Sequence, residues 1–184
     1  MNIKEFRDGI FALRTRRFGT IAEIMIQKIF ALEDSHTLLY DKKGLGKTER
    51  IEIKFSTVMK ENESKIEESN VIDQILKANV SNRALSSNDI DKYPFDCNIQ
   101  QIKRTCFDTL YYGMFFSDKI MIFRLSSNEI ENCPGYSDKQ HRNNKGEGQF
   151  HINNKTFEFH KKHLVEELSY KKLYELFKTN KLPI

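Results

Sequence analysis

Apolar residues recur along this chain in a few short periods, and each period fits one kind of element. Ile3, Phe6, Ile10 and Leu13 return every three or four residues and predict an N-terminal helix. Ile21, Ile24, Met25, Ile26, Ile29 and Phe30 predict a second helix over about 20–32, apolar nearly all round and so largely buried. Glu23 is an unusual acid in such a helix and needs a partner, either a metal with its water or a nearby cation at Arg16, Arg17 or Lys28. The pattern then changes to a hairpin. T-L-L-Y-D (37–41) reads as a strand, K-K-G-L-G-K-T-E-R (42–50) as a polar turn, and I-E-I-K-F (51–55) as the returning strand.

Residues 59–93 are rich in Glu, Asn, Ser and Lys and read as a polar insertion. One apolar patch inside it, Val71, Ile72, Ile75 and Leu76, predicts a short helix. Ile99, Ile102, Cys106 and Leu110 fall again at helical spacing, which puts Gln100, Gln101 and Lys103 on a helix exterior. Two apolar runs, 111–116 and 120–125, separated by Ser117-Asp118-Lys119, predict central strands. Past Ser169, a residue type suited to an N-cap, Leu173, Tyr174, Leu176 and Phe177 predict a final amphipathic helix.

The hairpin carries the candidate chemistry. Strand alternation sends Ile51, Ile53 and Phe55 into a core and projects Glu52 and Lys54 together on the other side, beside Asp41. A Mg²⁺ ion takes hard oxygen ligands, keeps several waters and meets one or two protein carboxylates plus a substrate phosphate. Asp41 and Glu52 supply such carboxylates, the Ile53 carbonyl a third oxygen, and Lys54 an ammonium that orients the attacking water and balances charge on phosphorus oxygens. A solvated charged face is the other reading. With 30% of residues charged, acid-x-Lys triplets arise by composition, and Asp41-Lys42-Lys43 and Glu63-Ser64-Lys65 are two more. Only the triplet starting at Glu52 lies within a strand pattern and follows an acid at the end of another strand.

Several further segments stand in a consistent order with this hairpin: R-R-F-G-T-I-A-E (16–23), Y-D then I-E-I-K-F-S (40–41, 51–56), F-D-T-L-Y-Y-G-M-F-F-S-D-K-I-M-I-F (107–123) and G-E-G-Q-F-H-I (146–152). Together they resemble the PD-(D/E)XK nuclease superfamily and, within it, the small type II restriction endonucleases. The resemblance spans most of the chain and departs from the family pattern at Tyr40, where the family name has proline. It implies an α/β (mixed α+β) restriction-endonuclease-like fold, with a central mixed five-stranded sheet flanked by helices. It also implies that Asp41 and Glu52 bind Mg²⁺, which Mn²⁺ replaces, that Lys54 assists the water, and that Glu23 is an extra acid. The activity implied is cleavage of double-stranded DNA at a palindromic site by a homodimer, leaving 5′-phosphate ends, alongside a separate cognate DNA methyltransferase.

Composition narrows the setting. A chain of 184 residues suits one nuclease domain over 1–184, and a formal net charge of +4 permits a polyanionic partner. The DNA-recognition region expected is 136–163, where Lys139, Gln140, His141, Arg142, Asn143, Asn144, Lys145, Gln149, His151 and Asn153 are set among glycines. Arg14, Arg16 and Arg17 form a second cationic cluster suited to phosphates. Cys97, Cys106 and Cys133 are spaced too widely for a zinc or redox pair and read as reduced thiols. No apolar stretch approaches the roughly 20 residues of a membrane span, and the charged start lacks a secretory signal, so a cytoplasmic protein is expected. Two other functions fit the same residues. A repair nickase or junction resolvase on this fold would cut by structure, and a non-catalytic DNA-binding protein would not cut at all.

Overall fold

The computed structural model of the chain describes residues 2–61, 64–140 and 144–179. Helix α1 (Ile3–Phe11) begins with a capping box, in which Asn2 Oδ1 accepts the Glu5 N–H at 2.8 Å and the Glu5 carboxylate accepts the Asn2 N–H at 3.1 Å. Helix α2 (Thr15–Phe30) stops where Ala31 turns left-handed, at a φ of 51°. Near the chain's end Ser169 caps α6 (Tyr170–Lys178) by accepting the Lys172 N–H.

These three helices cover one face of a six-stranded mixed sheet. Its members are β1 (Glu33–Asp34), β2 (Lys42–Lys43), β3 (Arg50–Thr57), β5 (Thr109–Phe115), β6 (Lys119–Ser126) and β9 (Leu164–Ser169). That sequence of names is also their spatial order. Only β3 and β5 run parallel, and the crossover between them holds α3 (Val71–Lys77), α4 (Val80–Arg83) and β4 (Asp96–Ile102). Ile51, Ile53, Tyr111, Phe115 and Ile122 face the helices and bury against Phe18, Met25, Ile26 and Leu173. Leu110, Tyr112, Met114 and Phe123 face the other way, onto a second sheet ordered β4, β8 (Asn144–Asn153), β7 (Ser137–Gln140), through Cys97, Ile99, Phe150 and Ile152. Helix α5 (Phe157–Lys161) closes that layer with Phe157. Each large apolar side chain buried this way contributes about 1.5–3 kcal/mol.

Close packing at the centre depends on Gly113. A Cβ there would lie 2.1 Å from the Met121 carbonyl oxygen and 2.5 Å from the Phe55 ring. The missing side chain is what lets Phe55 lie across β5 and meet Phe115 edge-on at 5.8 Å.

Several expectations need correction. Among the described residues the sheet has six strands, not five, and its second face is covered mainly by a small sheet, with α5 beside it, because the polar C-terminal stretch folds into a hairpin that pairs with β4. Residues 37–39 form bends and Tyr40 is irregular, so no strand forms there. The Ser35 hydroxyl reaches the carbonyls of Thr37 (2.8 Å) and Tyr40 (2.7 Å), while Thr37 Oγ1 accepts the Leu39 N–H, so local side-chain bonds override β propensity. The helix expected from 98 to 110 is β4 followed by a 3-10 turn at Arg104–Cys106. Helix α2 is amphipathic, with Ile24 exposed. Helix α3 forms as expected but is turned inside out: Gln74 is buried while Ile72, Ile75 and Leu76 face solvent.

Candidate active site

The hairpin that carries the acids is short on one side. β2 pairs with only Arg50 and Ile51 of β3, and Asp41 adds one more bond, its N–H donating to the Ile51 carbonyl at 2.9 Å. The turn between the strands needs left-handed backbone at Gly46 (φ 62°), which glycine adopts without strain. Beyond it β3 has a free edge, and Asp41 sits there with Oδ2 accepting the Ile53 N–H at 2.8 Å. In an extended strand a residue's N–H and C=O point the same way, so the Ile53 carbonyl also opens onto this edge.

Glu52 and Lys54 stand on the opposite face from Ile51 and Ile53 and form a direct ion pair. Lys54 Nζ also lies 3.9 Å from Asp41 Oδ2. Glu52 is the most enclosed of the three, its side chain 11% exposed against 24% for Asp41 and Lys54. Burial pushes the Glu52 carboxyl up to about 7, with Lys54 pulling it back and Asp41 and Glu23 adding to the rise. For Lys54, burial works against the charge, but Glu52 and Asp41 outweigh it and hold the ammonium above its ordinary value. Glu23 projects from α2 close enough to feel the same charges. Its carboxyl is raised chiefly by burial and next by Asp41, and is lowered by Lys42 and Lys54. Among the described residues no cation stands within ion-pair distance of Glu23, so Arg16, Arg17 and Lys28 do not neutralise it.

A cleft of about 370 Å³ opens at Lys54. Ser56 of β3, Thr15 at the start of α2, and Asn98, Gln100 and Gln101 of β4 line it with Lys54. The fold therefore brings Glu23 of α2 to the charges of the hairpin residues Asp41, Glu52 and Lys54, and Lys54 opens from that group onto a polar groove. Arg17 is exposed in the first turn of α2, near the cleft's Thr15.

Other residues expected to meet DNA are distributed along the second sheet. Lys139 is exposed on β7, which Gln140 ends, and Asn144 and Lys145 begin β8. His141, Arg142 and Asn143 lie outside the described residues. Gln149, His151 and Asn153 follow at alternate positions of β8, each partly exposed on the face away from the core. Gln149 Oε1 accepts from Asn98 Nδ2 at 3.3 Å, and His151 Nδ1 meets Asp96 Oδ2 at 2.7 Å. Asn153 is taken up by structure: its Oδ1 accepts the N–H groups of Lys155 and Thr156 and holds the turn into α5. Asn98, Gln100 and Gln101 are the cleft residues that periodicity hid, since it placed them in a helix. The alternation of Cys97 and Ile99 against Asp96, Asn98 and Gln100 is the signal that finds them.

All three cysteines are free thiols, Cys97 and Cys133 buried. Among the described residues no helix is long and apolar enough to cross a membrane, and no three His, Cys, Asp or Glu side chains form a ready metal cage. Comparison with protein-family models, curated proteins and solved structures finds no match to this chain.

Proposed function

We propose that this chain is a Mg²⁺-dependent, site-specific endonuclease of the type II restriction class, hydrolysing phosphodiester bonds in double-stranded DNA. The observation that carries the reading is the convergence of Asp41, Glu52 and Lys54 at the free edge of β3, opening onto a polar cleft. Mg²⁺ fits the donor set. Asp41, Glu52 and the Ile53 carbonyl are hard oxygens, few in number, as that ion prefers. Burial chiefly, with the mutual repulsion of Glu23, Asp41 and Glu52 added to it, raises both glutamates, and a cation would offset that repulsion.

Asp41, Glu52 and the Ile53 carbonyl would hold the ion, which would supply Lewis-acid chemistry by lowering the pKa of a water and polarising the scissile phosphate. Lys54 keeps its proton and supplies an ammonium beside the carboxylates, where it orients the nucleophile and meets charge developing on the phosphoryl oxygens. Glu52, raised to about 7 by burial even with Lys54 beside it, would be held as carboxylate by a bound cation. Asp41 is fixed by the Ile53 N–H, so its orientation does not have to be found anew in each turnover. Thr15 brings the positive end of α2 to the cleft, where a backbone phosphate is attracted.

Cutting both strands of a palindromic site calls for two such centres related by a two-fold axis, hence a homodimer leaving 5′-phosphate ends. A separate methyltransferase would protect the host's own sites. Incubating the purified protein with unmethylated plasmid DNA, with Mg²⁺ or Mn²⁺ or with EDTA, tests the reading. Discrete metal-dependent fragments whose ends share a sequence are expected. Nicks or a smear would favour a structure-selective nuclease, and DNA that shifts on a gel yet stays intact would favour a binding protein.

A further inference from the structure

Two non-glycine residues among those described have left-handed backbone, and only one lacks an ordinary reason for it. Ala31 ends a helix, whereas Gln101, at φ 59°, lies inside a strand. That conformation costs a non-glycine residue roughly 1–2 kcal/mol, so the neighbourhood holds it in place. The cause is visible in the pairing of β4 with β8. Ile99 faces Phe150 and Ile102 faces Gly148, so three steps along β4 match two along β8 and one extra residue bulges from β4.

The bulge decides which side chains reach the cleft. In an unbroken strand Gln101 would share the inward face of Cys97 and Ile99, and Ile102 would point to solvent. With the extra residue Ile99 and Ile102 are both buried, each 1% exposed, and Gln100 and Gln101 are both exposed in the cleft that holds Lys54. Two residues before Gln100 stands Asn98. Its amide donates to Gln149, while its Oδ1 is buried and has no hydrogen-bond partner among the described residues, on a side chain that lines the same cleft.

Three neutral carboxamides add no charge to attract phosphates, and cations do that work elsewhere on DNA-binding surfaces. A carboxamide instead offers one donor and one acceptor in a plane, which matches N7 and the N6 amine of adenine. Residues two apart in a strand are about 6.6 Å apart, close to two base-pair steps of roughly 3.4 Å each. We propose that β4 is a base-reading strand, with Asn98, Gln100 and Gln101 contacting base edges of duplex DNA next to the phosphate that faces Lys54, adenine being the favoured base. This rests on the nuclease reading for the position of the phosphate, while the base contacts themselves need only that the chain binds duplex DNA.

The test uses a pool of duplexes carrying a randomised block of base pairs. The full chain and its Gln100→Ala, Gln101→Ala and Gln101→Gly variants are each given the pool twice: with Mg²⁺, sequencing the cut ends, and without metal, sequencing the duplexes retained in a gel shift. The unaltered protein should select a motif containing adenine. Each variant should lose discrimination at one or two of its positions by roughly 5- to 150-fold while other positions keep theirs. Gln101→Gly, which removes the strain, should melt no lower than the unaltered protein, so its loss of discrimination cannot be blamed on unfolding. Equal weakening on every sequence, or an unchanged motif, would overturn the proposal. So would a protein that cuts or binds with no base preference, although cutting would leave the nuclease reading intact. A motif selected in the shift but never cut, and relaxed by Gln101→Ala, would keep β4 as a reader and sink the nuclease.

Discussion

Lowering the pH should destabilise this protein through one ring, His160. It is fully buried in the layer between the two sheets, with Nδ1 3.0 Å from the Tyr112 hydroxyl and its ring stacked on Phe150. Among the described residues Nε2 has no hydrogen-bond partner; the His151 carbonyl, which favours the protonated ring, does not reach bonding geometry. Burial chiefly, and also the neighbouring His163, push its pKa from the ordinary 6.5 down to about 4. Between those values the unfolded chain binds a proton that the folded protein refuses, so folding is favoured above pH 6.5 and that favour is lost as the pH falls toward 4. At 1.36 kcal/mol per pH unit the loss comes to roughly 3 kcal/mol, a large share of the 5–15 kcal/mol typical of a domain. Urea unfolding followed by circular dichroism from pH 7 to pH 4 measures it. Carboxylates also titrate in this range, so the same series is run on His160→Asn, whose amide oxygen can still accept from Tyr112 but carries no proton in the window. The unaltered protein should lose about 3 kcal/mol more than the variant across the series. Parallel curves would refute the reasoning.

Lys54→Ala should cut DNA at least about 100-fold more slowly, in line with losing one preorganised group facing transition-state charge, yet still shift DNA on a gel; undiminished cutting would remove Lys54 from the site. Gly113→Ala forces a Cβ into the Met121 carbonyl and the Phe55 ring. Overpacking on that scale costs about 3 kcal/mol, which should lower the melting midpoint by about 6–12 °C, and an unchanged midpoint would show that β5 and β6 part more easily than their packing implies. Arg17→Ala should weaken DNA binding on all sequences alike and reduce the salt dependence by about one phosphate contact. Loss at selected bases only would instead make Arg17 a reader.

Much of this arrangement was legible in the chain because local pattern and tertiary packing agree there. The N-terminal and C-terminal helices, the two apolar strands β5 and β6, and β3 with its in-out alternation all follow their periods. Agreement fails where a few side chains overrule a longer pattern. Ser35 and Thr37 bend 37–40 out of its strand propensity, and the bulge at Gln101 stretches a two-residue period into the three-residue interval from Ile99 to Ile102, which looks helical. The acids were readable because Asp41 and the Glu52–Lys54 triplet are joined by one short turn. Their cleft was not, since its far wall comes from β4, more than 40 residues away and paired with β8 by contacts that no local period records.

β3 is left without a strand partner on one side from Ile53 onward, and an extended edge of that kind is where a second chain can add itself. The Asp41 carboxylate occupies the Ile53 N–H, and Lys54 sets an ammonium beside it. A buried charge and a blocked donor are what sheet proteins use to keep their edges from sticking together. The proposed chemistry and the guarding of the edge thus rest on the same two side chains, and a variant that deletes Asp41 also strips the edge. Such a protein would be adhesive at that edge, and its aggregates would seed on the strand that carries the proposed site.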